Sequence, residues 1–129
     1  MEQTPTPPPA LHELETEVMD VVWDLGEASV RQVMDAANPA AGKSRVYTTY
    51  MTILGRLHTK GLLDRRREGK TDYYRPVHTR AEYADLRAQA IVADLVDAYG
   101  DVALGHFARQ VADLDPERRR ALERLARER

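Results

Sequence analysis

The 129-residue chain contains no cysteine. That absence excludes disulfide frameworks, thiolate metal sites and a cysteine nucleophile. Its only serines, Ser29 and Ser44, stand where helical patterns begin, and helix capping explains both. There is no glycine-rich phosphate loop, so no catalytic residue is assigned and no enzymatic activity is expected. The four histidines, at 12, 58, 78 and 106, include no pair at the three- or four-residue spacing of a helical metal site. Neither a metal nor a cofactor is expected. No apolar run approaches the roughly 18 residues a membrane span needs. The N-terminus lacks the basic and apolar stretches of a signal peptide. These absences predict a soluble, cytoplasmic protein that does not engage the membrane, built as one compact domain or a small domain with an oligomerisation arm.

The formal net charge of −2 hides an asymmetry. Residues 1–42 hold eight acids against one arginine, and residues 43–77 hold nine lysines and arginines against three acids. Residues 78–129 are nearly balanced, with nine arginines against ten acids. Because fields are screened beyond about 10 Å at ordinary ionic strength, the middle segment is the one able to attract a polyanion. The acidic first segment is expected to lie away from it.

Residues 1–10, with prolines at 5, 7, 8 and 9, read as a disordered tail. Leu11, Leu14, Val18, Val22 and Leu25 keep helical period up to the stop at Gly26. Ser29 and Gln32 fit a capping box for a second helix, which faces Val30, Val33 and Met34 inward and ends near Asn38-Pro39. Ser44 is placed to cap the third. Leu62–Arg67 and Asp72–Val77 read as two strands turning at Gly69. Thr79 and Glu82 open a long helix to about Tyr99, and two further helices follow, the last with Pro116 in its first turn.

Val46–Tyr74 is the functional centre of the chain. Thr48, Thr49, Thr52 and Arg56 recur at spacings of three and four on one face of the third helix, with Val46, Tyr50, Ile53 and Leu57 opposite. Short hydroxyls and a guanidinium suit base edges, and clustered cations suit phosphates. Thr48, Thr49, Thr52 and Arg56 are therefore candidate base readers. Lys43, Arg45, Tyr47, Lys60, Arg65, Arg66, Arg67 and Lys70 are candidate phosphate contacts, although strand alternation lets only some of the wing arginines face one way. Tyr47 either reaches a phosphate or packs at the domain edge. A helix followed by a basic hairpin is the order of a winged helix-turn-helix. The fold class is mainly α with a small β-wing, divided into a tail at 1–10, a winged-helix domain at 11–77 and a helical dimerisation domain at 78–129. In the last, Tyr83, Leu86, Val92, Leu95, Val96, Tyr99, Leu104, Phe107 and Val111 lack enough chain to form a core of their own and call for a second copy.

The chain resembles the penicillinase-repressor family of BlaI and MecI. Leu14-Glu15-x-Glu17-Val18-Met19 with Trp23, Ser29-Val30-Arg31-Gln32-Val33, and Tyr47-Thr48-Thr49-x-Met51-Thr52-Ile53-Leu54-x-Arg56-Leu57 through Lys60-Gly61-Leu62 match its first three helices in order. Arg66 and Tyr74-Arg75-Pro76 fall where its wing strands would. The resemblance implies a homodimeric repressor on a double-stranded DNA operator, controlling beta-lactam resistance or stress genes. It also implies release through a membrane sensor protease. His106-Phe107 stands where beta-lactam-responsive members have the cleaved Asn-Phe pair, with the phenylalanine kept and the asparagine absent. The cysteine-rich end of copper-responsive members is missing. Two further departures lie in the recognition helix: Tyr50 replaces a smaller aliphatic residue, and Gly55 weakens the helix by about 1 kcal/mol relative to alanine. The alternatives are a ligand-sensing winged-helix regulator of another family and a winged helix that binds protein rather than DNA.

Overall fold

A computed structural model describes residues 7–42 and 44–128, and the candidate phosphate contact Lys43 and most of the proline-rich tail lie outside them. The chain divides into two compact units, Met1–Ala88 and Gln89–Arg129. In the first, α1 (Glu13–Leu25) is followed by a two-residue strand β1 (Ala28–Ser29), then α2 (Val30–Ala41) and α3 (Tyr47–Thr59). The wing is β2 (Leu63–Glu68) and β3 (Thr71–Pro76). The three strands form an antiparallel sheet in the order β1-β3-β2, with Arg65 opposite Tyr74, Arg66 opposite Tyr73 and Arg67 opposite Asp72. The sequence shows no sign of β1, whose two residues pair with a strand more than forty positions away.

Local signals place most helix ends. Gly26 closes α1 at φ 83°, a backbone conformation that favours glycine. The Ser29–Gln32 capping box forms in full: the Gln32 N–H donates to Ser29 Oγ at 3.2 Å, and the Ser29 N–H donates to Gln32 Oε1 at 2.9 Å. Two expectations change. The helix α2 runs through Pro39 and ends at Gly42, whose N–H donates to Pro39 O, because a proline so close to the end costs few helical bonds. The start of α3 is set by Val46 without a side-chain cap, and Ser44 does not cap it.

The core of this unit joins Val18, Met19 and Val22 of α1, Val33 of α2, Tyr50, Leu54 and Leu57 of α3, and Leu63 and Tyr74 of the wing. Leu25 and Val46 were expected inward, but both are exposed because each sits at a helix end beyond the packed layer. Tyr50 is wholly buried, and its hydroxyl donates to Asn38 Oδ1 at 2.6 Å. Asn38 also clasps the α2–α3 loop, accepting from Arg45 N–H and donating to Arg45 O, both at 2.9 Å.

The first turns of α4 (Arg80–Tyr99) belong to this unit, eleven or so residues beyond the boundary read from the sequence. The reason is an aromatic anchor. Trp23 donates from Nε1 to His78 O at 2.9 Å, its ring meets Tyr83 at 5.5 Å, and the Arg80 guanidinium lies over it at 5.3 Å. Tyr83 is therefore used within the first unit, although the sequence assigns it to dimerisation. Its hydroxyl donates to Pro9 O at 2.9 Å and Arg87 donates to Pro8 O at 3.0 Å, so Pro8 and Pro9 make defined contacts within the span expected to be a disordered tail.

In the second unit, α4 continues from Gln89, and α5 (Asp101–Ala112) and α6 (Pro116–Arg127) follow. Asp115 caps α6 by accepting from the Arg118 N–H at 2.8 Å. Among the described residues of this unit, Ala103 alone is buried, and Val92, Tyr99, Leu104 and Phe107 stand exposed.

The two ends of the helical layer are tied by one ion pair. Glu15 is 1% exposed, and both of its carboxylate oxygens accept from Lys60 Nζ at 2.8 Å. Burial pushes the Glu15 pKa up, but Lys60 and the His12 N–H outweigh it and hold the carboxyl below its ordinary value. The unfolded chain thus takes up this proton at a higher pH than the folded one does. The pair's contribution is complete above about pH 4.5 and is lost as pH falls through the folded value. Glu15→Gln is expected to lower stability at pH 7 by about 2–3 kcal/mol, less than a fully buried pair because Lys60 keeps some solvent. Denaturant unfolding at pH 7 and pH 3 checks this, since the gap between variant and parent should shrink at the lower pH.

Candidate nucleic-acid interface

The buried residues of α3 leave an outward face on which Thr48, Thr52 and Arg56 are exposed, while Thr49 is half-buried at its edge. Among the described residues, Arg56 has no acidic partner. Thr59 extends the same stripe one turn further and donates from Oγ1 to Gly55 O at 3.0 Å. It was missed in the sequence although it follows Arg56 by the same three-residue step. Gly55 lies beside this face, and a side chain built there would meet nothing within 4 Å.

The structure sorts the candidate phosphate contacts into two groups. Arg45, Lys60 and Arg66 are committed within the fold. Arg45 donates to Glu17 at 2.9 Å, and Glu17 raises the Arg45 pKa. Lys60 is held by Glu15, as above. Arg66 donates to both oxygens of Glu27 at 2.8 and 3.0 Å and to Glu68 at 3.0 Å, and lies over the Tyr73 ring at 4.7 Å. Glu27 first and Glu68 second raise the Arg66 pKa, and Arg66 in turn holds Glu27 below the ordinary carboxylate range. Arg65, Arg67 and Lys70 form the other group: all are exposed, and none has an acidic partner within 4 Å among the described residues. Arg65 and Arg67 share a hairpin face with Leu63 and Tyr74, the opposite face from Arg66. Tyr47 is 43% exposed at the start of α3. The acidic first segment does not lie apart from the basic one. Glu15, Glu17 and Glu27 each neutralise one of its cations, which leaves Arg56 on α3 and Arg65, Arg67, Lys70 and Arg75 on the wing without an acidic partner among the described residues.

A family model described as penicillinase repressor matches residues 11–128. The chain belongs to the penicillinase repressor family. A transcriptional regulator BlaI of Mycobacterium tuberculosis is 39% identical over 118 residues, covering 89% of this chain and 84% of that protein. A solution structure of the DNA-binding domain of the repressor BlaI is 28% identical and superposes with a TM-score of 0.51, over 59% of this chain and 90% of that one. A Bacillus licheniformis BlaI monomer in complex with the blaP half-operator is also 28% identical, over the same shares, with a TM-score of 0.48.

Among the described residues of this penicillinase-repressor family member, no group of histidines and carboxylates could hold a metal ion, and no helix is long and apolar enough to cross a membrane. The two groups of cations should separate on double-stranded DNA. Lys70→Ala is expected to weaken binding to any sequence and to lower the slope of log affinity against log salt by about one. Lys60→Ala is expected to leave that slope unchanged and to lower the melting temperature instead. Salt-titrated fluorescence anisotropy beside thermal melts measures both.

Proposed function

We propose that this DNA-binding transcriptional repressor works as a homodimer, placing one α3 in each of two major-groove half-sites with the wing along the flanking backbone. The observation that carries the reading is the division of α3, whose Tyr50, Ile53, Leu54 and Leu57 are buried while Thr48, Thr52 and Arg56 stay in solvent. Thr48, Thr52 and Arg56, with Thr49 at the edge, are the base readers in this proposal. Arg65, Arg67, Lys70 and Tyr47 hold phosphate. Lys43 joins them on sequence grounds alone. The likeness to the DNA-binding domain of the repressor BlaI supports this use of the fold.

The second unit supports a two-fold partner. A groove of about 580 Å³ runs along α4 and α5 between Leu95, Tyr99, Val102 and Phe107, and Ala103 is the one buried residue among those described in this unit. A second copy, burying Leu86, Val92, Leu95, Val96, Tyr99, Leu104, Phe107 and Val111, removes it from water. Two-fold symmetry then requires a pseudo-palindromic operator with half-sites about one helical turn apart or a multiple of it. Release by a sensor protease at His106-Phe107 requires α5 to unwind, since the bond lies inside Asp101–Ala112. Gly105 next to it lowers the cost of unwinding by about 1 kcal/mol relative to alanine. The genes controlled are those beside the operator, with beta-lactam resistance or stress genes as the first candidates.

Binding of the purified chain to its own promoter region and to scrambled DNA tests the reading. Arg56→Ala is expected to lose affinity for the promoter and little for scrambled DNA, corresponding to about 1–3 kcal/mol of discrimination; equal losses on both would remove it from the base readers. Leu95→Asp is expected to sediment as a monomer and to lose the preference for a two-half-site operator over a single half-site.

A further inference from the structure

Beside the reading face of α3 is a cleft of about 540 Å³ in which the repressor reading gives a role only to Tyr47 and Lys70. It opens between the first turn of α2, the first turns of α3 and the turn of the wing, and it is lined by Val30, Arg31, Tyr47, Met51, Lys70 and Asp72 among others. We infer that this cleft reads the C5-methyl group of an operator thymine through Met51, with the adjoining backbone phosphates held by Arg31 and Lys70. The inference rests on the DNA-binding reading and adds to it a base and two contacts.

Three observations carry it. Met51 is 46% exposed and Tyr47 43%, four residues apart, so they form one apolar stripe alongside Thr48 and Thr52. The stripe is outside the core and belongs to the first unit. Arg31 and Lys70 rim the same cleft, both exposed and without an acidic partner among the described residues. An apolar strip between two available cations suits a polyanion that carries an apolar group. In the major groove that group is the thymine methyl. The unbranched thioether of methionine adapts readily to such a contact. Asp72, the acid on the cleft wall, is directly across the hairpin from Arg67.

The test uses the full chain and the operator duplex that the wild-type protein protects from cleavage. Each thymine is replaced in turn by deoxyuridine, which removes only the methyl group, and affinities are read by anisotropy. Wild type is expected to lose about four-fold at one position of each half-site, the worth of one buried methyl group. Met51→Ala should bind the thymine and uracil duplexes equally at that position, and Met51→Leu should retain the discrimination. Arg31→Ala should weaken all duplexes alike and lower the salt slope by about one. Melting curves confirm that the variants fold. Operator binding by wild type with no sensitive thymine, sensitivity that survives Met51→Ala, or an unchanged slope for Arg31→Ala each overturns the inference while leaving the repressor reading intact. Failure of wild type to prefer operator over scrambled DNA overturns both.

Discussion

A buried tyrosine hydroxyl governs how the recognition helix is held. The Tyr50 ring occupies the centre of the helical layer, and a hydroxyl there must find a partner or cost about 1–3 kcal/mol. It finds Asn38, whose amide already bridges both backbone polar groups of Arg45. One side chain therefore sets the path of the α2–α3 loop and anchors α3 on its inner side. The outward row of Thr48, Thr52 and Arg56 follows from that anchoring, because rotating the helix would draw Tyr50 away from Asn38. Glu15 and Lys60 secure the other end of the same helix. With both ends held, α3 presents its polar face as a rigid edge.

The same ion pairs shape the electrostatic field. A basic middle segment suggests a broad positive surface, yet three of its cations are answered by glutamates from the acidic first segment. Among the described residues of that segment, what remains is Arg65, Arg67, Lys70 and Arg75 on the wing and Arg56 on α3. The charge partition along the chain thus becomes, in the fold, a neutralised interior edge and a cationic rim. The Arg66 guanidinium, stacked on Tyr73 and forked onto Glu27, stiffens the hairpin that carries this rim.

The second unit is built on the opposite principle. The first unit buries a core of its own, whereas among the described residues of the second only Ala103 is buried. An exposed apolar groove of this extent marks a surface made for another protein. In the homodimer proposed above, each α3 would read one half-site and the second unit would join the two copies.

Much of this was legible without coordinates where the governing interactions are local. The three- and four-residue spacing of Thr48, Thr52 and Arg56, the Ser29–Gln32 cap and the Gly69 turn each act within one turn of chain, so residue order alone determined α3, the start of α2 and the wing. The residues of Val46–Tyr74 also carried the family. The tertiary structure decided the rest. Strand β1, the reach of the first unit into α4 and the contacts of Pro8 and Pro9 depend on partners more than forty residues away. Whether a cation stays available depends on which carboxylate folds against it: strand alternation separates Arg66 from Arg65 and Arg67, but only the fold brings Glu27 against the Arg66 face. Helical period placed Thr48, Thr52 and Arg56 on one exposed face, and packing decided which of the accompanying cations stay unpaired, because charge is neutralised through space and not along the chain.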